Sequence, residues 1–191
     1  MTNICCIGDC YTTGLPRLND YNYPEFLSKM LGEGYRLDVL GRESLTITGI
    51  VKHKNLFLPK ESKPGDIAIL WIGTNDLFLG YSPEDICCNY DIYHNELNHL
   101  GITVFDVTAM PRIDTPRIEQ HLFVENKKKF NTFIKEKYSN VIRIDENASV
   151  GIKKIKKDLC EKNEFGIIEE HFNKKGLKTV AKIFYNEIRS L

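Results

Sequence analysis

The chain has 191 residues, of which 42% are apolar, and its 26 basic and 26 acidic side chains leave a formal charge of zero. That is enough length for one domain with a substantial core, and the balanced charge offers no footing for nucleic acid or an anionic membrane surface. No apolar run approaches the roughly 20 residues that cross a bilayer, and the opening "MTN" lacks the charged-then-apolar layout of a secretory signal, so a cytoplasmic protein is expected.

In chain order, "ICCI" at 4–7 reads as a first strand and "YPEFLSKML" behind it as a helix. "LDVL" at 37–40 and "IAILWI" at 67–72 are the second and third strands. Ser82 is a helix N-cap with Pro83 at the first helical position. Ile86, Tyr90, Tyr93, Leu97 and Leu100 then share one face, and Gly101 ends the helix. "ITVFDV" at 102–107 is the fourth strand, Phe130, Phe133, Ile134 and Tyr138 mark a further helix, and "VIRI" at 141–144 is the fifth strand. Leu177, Val180, Ala181, Phe184 and Ile188 stripe the last helix. The strands are nearly continuous runs rich in Ile and Val, as strands buried on both faces are. Alternation with helices predicts an α/β protein with a five-stranded parallel sheet covered on both sides. No repeat or linker interrupts it, so 1–191 is read as one domain.

Six cysteines stand at 5, 6, 10, 87, 88 and 160. Two adjacent pairs make a poor disulfide framework, and ligands at zinc spacing are missing, so no metal is expected. His94 and His99 do not share a helix face and make no metal pair; His53 and His121 read as surface.

Ligands of parallel sheets bind beyond the carboxyl ends of the strands. Those ends carry Gly8-Asp9-Cys10, Gly41, and Gly73-Thr74-Asn75-Asp76, and "EEHFNKKG" with His171 precedes the last helix. Each group alone reads as a turn or a cap. Together they supply what acyl transfer needs: a nucleophile in Cys10, a base in His171, and oxyanion donors in the N–H groups of Cys10 and Gly41 and the Asn75 amide. Glycine at 41 leaves room for substrate to approach the backbone. Asp9, Tyr11, Thr12, Thr74, Leu77 and Phe78 flank these positions and are the substrate-binding candidates.

The blocks "GDC" at 8–10, Gly41, "GTND" at 73–76 and "HxNxxG" (His171, Asn173, Gly176) resemble, in order, those of the SGNH, or GDSL, hydrolases. "ITVFDVTAMP" and "FNTFIKEKYSNVIRID" resemble the family's fourth strand and its following helix and strand, so the likeness spans essentially the whole chain. It implies a three-layer α/β/α sandwich of flavodoxin-like type, ester or thioester hydrolysis or acyl transfer, and no cofactor. Two positions depart from the pattern. Cys10 stands where the family has serine, and Ile168 stands where it has an acid three residues before the histidine. A thiol ionises far more readily than a hydroxyl, and lower still beside an imidazolium, so a Cys–His ion pair depends less on a third group. Glu169 and Glu170 are candidates to replace the acid. The expected substrate is a small-molecule ester or thioester, with coenzyme A or an acyl carrier protein as the carrier of a thioester donor. The acceptor is water or an amine.

In "GIKKIKKDL", Ile152, Ile155 and Leu159 are spaced as a helical stripe flanked by Lys153, Lys154, Lys156 and Lys157, which reads as a solvated face or a docking patch for an acidic carrier. The rival readings are a catalytically silent binding protein on the same fold and a flavin or nucleotide binder. The latter is disfavoured because the loop after the first strand lacks a glycine-rich phosphate cradle.

Overall fold

The computed structural model describes residues 1–14, 21–110, 120–152, 154–162 and 168–190, with the backbone alone at 120–121 and 168–170. The strands β1 (Thr2–Gly8), β2 (Tyr35–Gly41), β3 (Ile67–Trp71), β4 (Thr103–Val107) and β5 (Val141–Ile142) form one sheet in the order β2-β1-β3-β4-β5. Every pairing is parallel, the flavodoxin-like order expected.

The sheet is apolar on both faces because successive side chains point to opposite sides. Ile4 and Cys6 of β1, with Ile67, Ile69 and Trp71 of β3, enter one core under α2 (Tyr23–Leu31) and α7 (Lys174–Ile188). Cys5, Ile7, Ala68 and Leu70 enter the other, under α3 (Ile47–Lys52), α5 (Pro83–His99) and α6 (Gln120–Lys137). The helix starts follow local chemistry. Asn22 accepts from the Glu25 N–H at 2.9 Å to cap α2, and Ser82 accepts from the Asp85 N–H at 3.0 Å to cap α5. β2 is an edge strand, and its Val39 is 41% exposed.

Two expectations fail, and one feature was not foreseen. The fifth strand stops at Ile142, and Ile144 lies in a 3-10 turn. There the Asp145 carboxylate is drawn inward by the Thr108 hydroxyl at 2.6 Å and the Asn131 amide at 2.9 Å. No helix forms over "GIKKIKKDL": Gly151 takes φ 129, the Lys156 N–H returns to the Val150 carbonyl, and only a 3-10 turn, Lys157–Leu159, follows. Ile155 and Leu159 are buried while Ile152 is exposed, so apolar spacing here reflects a loop tucked under α7. Lys153 lies outside the described residues. Finally, His171 stands on a strand: β7 (Ile168–Phe172) pairs antiparallel with β6 (Cys160–Lys162) in a separate two-stranded sheet. Among the described residues no helix is long and apolar enough to cross a membrane.

Candidate active site

The turn after β1 is built by Asp9. Its buried carboxylate accepts from the Tyr11 N–H at 3.0 Å and caps the single-turn helix α1 (Cys10–Thr13). That cap sets Cys10 at the first helical position, half-buried at the edge of the sheet. Gly8 and Gly41 lie side by side in the β1–β2 ladder. A Cβ on Gly41 would meet the Gly8 carbonyl oxygen at 2.1 Å, so the glycine is required by backbone packing.

His171 reaches the same place from the far end of the chain. Asn173 accepts from the Gly176 N–H at 3.0 Å and donates to the carbonyls of Asp158 at 3.0 Å and Cys160 at 2.9 Å. It thereby ties the start of α7 to the approach to β6. Gly176 packs there because a Cβ would lie 2.3 Å from the Leu159 carbonyl oxygen. "HxNxxG" is thus a clamp that holds β7, and His171 Nε2 sits 3.2 Å from Cys10 Sγ.

The third block is a polar brace. Gly73 takes φ 109 at the head of α4 (Thr74–Phe78) with Phe130 against it, where any side chain would collide. Asp76, fully buried, accepts from the N–H groups of Ile47 at 2.8 Å and Thr48 at 3.2 Å and from the Thr48 hydroxyl at 3.0 Å. Those bonds hold the start of α3 and therefore the loop between β2 and α3. Asn75 Nδ2 donates to Asp9 Oδ2 at 3.2 Å and to the Leu45 carbonyl at 3.0 Å. An amide nitrogen has two hydrogens, so in this state both are engaged.

The loop braced by Asp76 contains a residue that sequence reasoning missed. Ser44 has φ 57, the one positive φ outside glycine among the described residues. Its main-chain N–H lies near enough to favour the Cys10 thiolate. A left-handed serine costs about 1–2 kcal/mol, and such strain at a candidate site is where function is sought. The signal was present only as a polar "RES" after Gly41, with no glycine to mark the turn.

Burial, reinforced by Asp9, pushes the Cys10 thiol up to about 12, while the N–H groups of Ser44 and of Cys10 itself pull the other way. That rise works against the expected thiolate–imidazolium pair. Burial also lifts Asp9 to about 7, with Asp76 adding to the rise and the Tyr11 N–H opposing it.

The substrate-binding candidates divide. Tyr11 and Leu77 pack into the two cores, and Asp9, Thr12 and Thr74 are buried as well. Phe78 alone is half-exposed, stacked on Phe123 with ring centroids 4.8 Å apart. The side chains of Ile168, Glu169, Glu170 and His121 lie outside the described residues. His94 is buried: Nδ1 sits 2.9 Å from Asp106 Oδ1 and the ring stacks on Tyr138 at 4.0 Å. That pair joins α5 to β4 on the face of the sheet opposite Tyr11. Arranged this way, Cys10, His171 and the Ser44 N–H can deliver a sulfur nucleophile, accept its proton and receive a developing oxyanion.

The GDSL-like lipase/acylhydrolase family matches residues 6–176. Among solved structures, a G-D-S-L family protein from Desulfitobacterium hafniense DCB-2 superposes with a TM-score of 0.76 at 20% identity, covering 98% of this chain and 99% of that one. The lipase/acylhydrolase from Enterococcus faecalis gives 0.75 at 18% identity, with 100% and 96% covered. A member of the lipolytic G-D-S-L family from Veillonella parvula DSM 2008 gives 0.74 at 18%, with 100% of both chains covered. No curated protein sequence matches this chain.

Proposed function

Because the chain belongs to the GDSL-like lipase/acylhydrolase family, we propose that it is an acyl hydrolase working through an S-acyl enzyme on Cys10, with His171 as base. The observation that carries this reading is the 3.2 Å approach of Sγ to Nε2. With the thiol neutral at rest, proton transfer accompanies attack. Sγ bonds to the acyl carbon as its proton passes to Nε2, and the carbonyl oxygen becomes an oxyanion facing the N–H groups of Ser44 and Cys10. Collapse breaks the bond to the leaving group, which takes the proton from His171. Water then gives a proton to Nε2, attacks the thioester, and expels the Cys10 sulfur, which recovers that proton. Ser44 rather than Gly41 supplies the second main-chain donor, and Asn75 holds Asp9 and the loop in place.

An S-acyl enzyme also acylates amines and thiols, so the same intermediate serves an acyltransferase fed by a thioester on coenzyme A or a carrier protein. Lys156 and Lys157, exposed beside α7, are the proposed carrier contact. Turnover falling steeply with salt for a carrier-bound donor, and unchanged for a small free donor, supports that contact. A thiol-dependent site and free cysteines suit a reducing, cytoplasmic setting.

The test is intact mass after incubation with an acyl thioester and with a p-nitrophenyl ester. One added acyl group on the parent and none on Cys10→Ala, with turnover lost in His171→Ala, supports the reading. No adduct with any donor, and full turnover in Cys10→Ala, overturns it. A fold that binds acyl ligands yet never acylates is then the silent binding protein.

A further inference from the structure

The imidazole of His171 does not stand alone over the sulfur. The ring of Tyr11, the residue after Cys10, lies against it with centroids 5.7 Å apart and 27° between planes. Tyr11 stacks in turn on Trp71 at 5.4 Å and 23°. Phe172 closes edge-on against Tyr11 at 6.1 Å, and Phe184 closes edge-on against Trp71 at 5.5 Å. Four elements thus feed one aromatic column, with α1 supplying Tyr11, β3 Trp71, β7 His171 and Phe172, and α7 Phe184. Tyr11 is 8% exposed and Trp71 1%, so the rings have no freedom to turn away. The family's own name spells its first motif G-D-S-L. Gly8, Asp9, Cys10 and Tyr11 stand on those letters, so an aromatic ring occupies the leucine position.

We propose that Tyr11 is the positioning residue of this site, its ring aiming the His171 imidazole at Cys10 and favouring the imidazolium that forms when the thiol proton is transferred. The inference rests on the acyl-hydrolase reading for its catalytic meaning. An acid beside a catalytic histidine orients the ring and stabilises its cation. A stacked phenol ring does both by other means. Offset stacking fixes the imidazole plane, and the negative face of the ring attracts a cation within about 6 Å of its centroid. The other charged or titratable groups on elements against β7 are Cys10 and Asp9 at α1, Lys174 and Lys175 at the start of α7, and Cys160, Glu161 and Lys162 on β6; Glu43 acts on the same sulfur, and the side chains of Glu169 and Glu170 on β7 lie outside the described residues. Of these, Lys174 lies over the Tyr21 ring and Lys175 pairs with Asp158.

The experiment compares the parent chain with Tyr11→Phe and Tyr11→Leu. Nuclear magnetic resonance follows the His171 ring resonances through a pH titration without substrate, and kcat and KM are read with a p-nitrophenyl ester. Tyr11→Leu is expected to lower the titration midpoint by about half to one and a half pH units. It is expected to reduce kcat about ten- to a hundredfold with KM within about twofold. Tyr11→Phe keeps the ring and is expected to restore both. A midpoint within about 0.2 pH units in Tyr11→Leu overturns the proposal, as does a loss in Tyr11→Phe equal to that in Tyr11→Leu. If Tyr11→Leu does not fold, the parent protein decides. His171 ring protons standing at their solvent-exposed positions, with no ring-current displacement, overturn the stack. A moved midpoint in a protein that turns over no ester counts against the hydrolase reading alone, and an unmoved midpoint in an active one counts against Tyr11 alone.

Discussion

Gly41→Ala separates two reasons for the same glycine. Sequence reasoning kept position 41 small so that substrate could approach; the structure places the constraint in the β1–β2 ladder. A Cβ there would lie 2.1 Å from the Gly8 carbonyl oxygen and 3.1 Å from Thr13 Cγ2, against a 3.0 Å floor for real contacts. The strand ends must therefore part by almost 1 Å, the difference between 2.1 and 3.0 Å. Overpacking of this kind costs about 1–3 kcal/mol, a large part of the roughly 5–15 kcal/mol that holds a domain together. The displaced segment ends two residues before Cys10, and a misplacement of about 1 Å at reacting groups costs on the order of a hundredfold in rate. Urea unfolding followed by the single tryptophan, Trp71, should show a lower midpoint with an unchanged m-value. On a small ester, kcat should fall while KM moves little. Stability within about 0.5 kcal/mol of the parent, joined to a raised KM and an intact kcat, would refute the packing argument and restore the one from substrate access.

Three further outcomes follow from the site. Alkylation of Cys10 by iodoacetamide, read by peptide mass to separate it from exposed Cys88, should keep accelerating beyond pH 9, because burial holds the thiol up near 12; a plateau near neutrality would mean a preformed ion pair. Ser44→Pro, which removes the N–H and forces φ to about −65°, should lower kcat by about 10²–10³, whereas Ser44→Gly, suited to φ 57, should stay within about threefold of the parent; equal losses would remove Ser44 as the donor. For Asp9, the folded carboxyl titrates near 7 against an ordinary 3.8, so between those values the folded state binds the extra proton and stability falls as pH rises. The ceiling is about 4 kcal/mol, and the parent should lose stability relative to Asp9→Asn over that window, with parallel pH profiles contradicting the assignment.

How much of this was legible in the sequence depends on whether a feature is local. The strands and α5 declared themselves, because burial on both faces writes an unbroken Ile/Val run and because Ser82-Pro83 is a local cap signal. The order of the motifs also brought Cys10 and Asn75 to one edge, since the carboxyl ends of parallel strands converge whatever lies between them, and His171 arrives there on β7 of the second sheet. What failed was set by tertiary contacts. Ile152, Ile155 and Leu159 have helical spacing, but Gly151 at φ 129 and the pull of α7 bend the segment into a loop. Pairing of β7 with β6 is announced by no alternating apolar run in "CEK" or "IEEHF". Ser44 was hidden because its left-handed turn is held by Asp76 thirty residues away through α3, not by a glycine of its own. Tyr11 was read as pocket wall, since spacing places a side chain on an element without saying what it leans on.

An ionised sulfur connects the two departures that the sequence resemblance implies, cysteine for serine and isoleucine for the acid. Burial weakens that link by pushing the thiol up to about 12. A weaker and sufficient link remains. Burial raises a hydroxyl as it raises a thiol, and the unperturbed values, about 8.5 for cysteine against about 15.7 for water, leave the thiol far the readier to give up its proton in the same setting. The base at position 171 then has less work to do and needs less help from a carboxylate. The help it does need is orientation and a modest preference for the cation, and a stacked ring supplies both. On this reasoning Cys10→Ser should disable the enzyme far more than the loss of one sulfur's nucleophilicity accounts for, because a hydroxyl makes a heavier demand on the base at position 171. Single-turnover acylation of Cys10→Ser by a p-nitrophenyl ester measures this: a serine variant approaching the parent rate would show that the histidine already has all the support a hydroxyl requires.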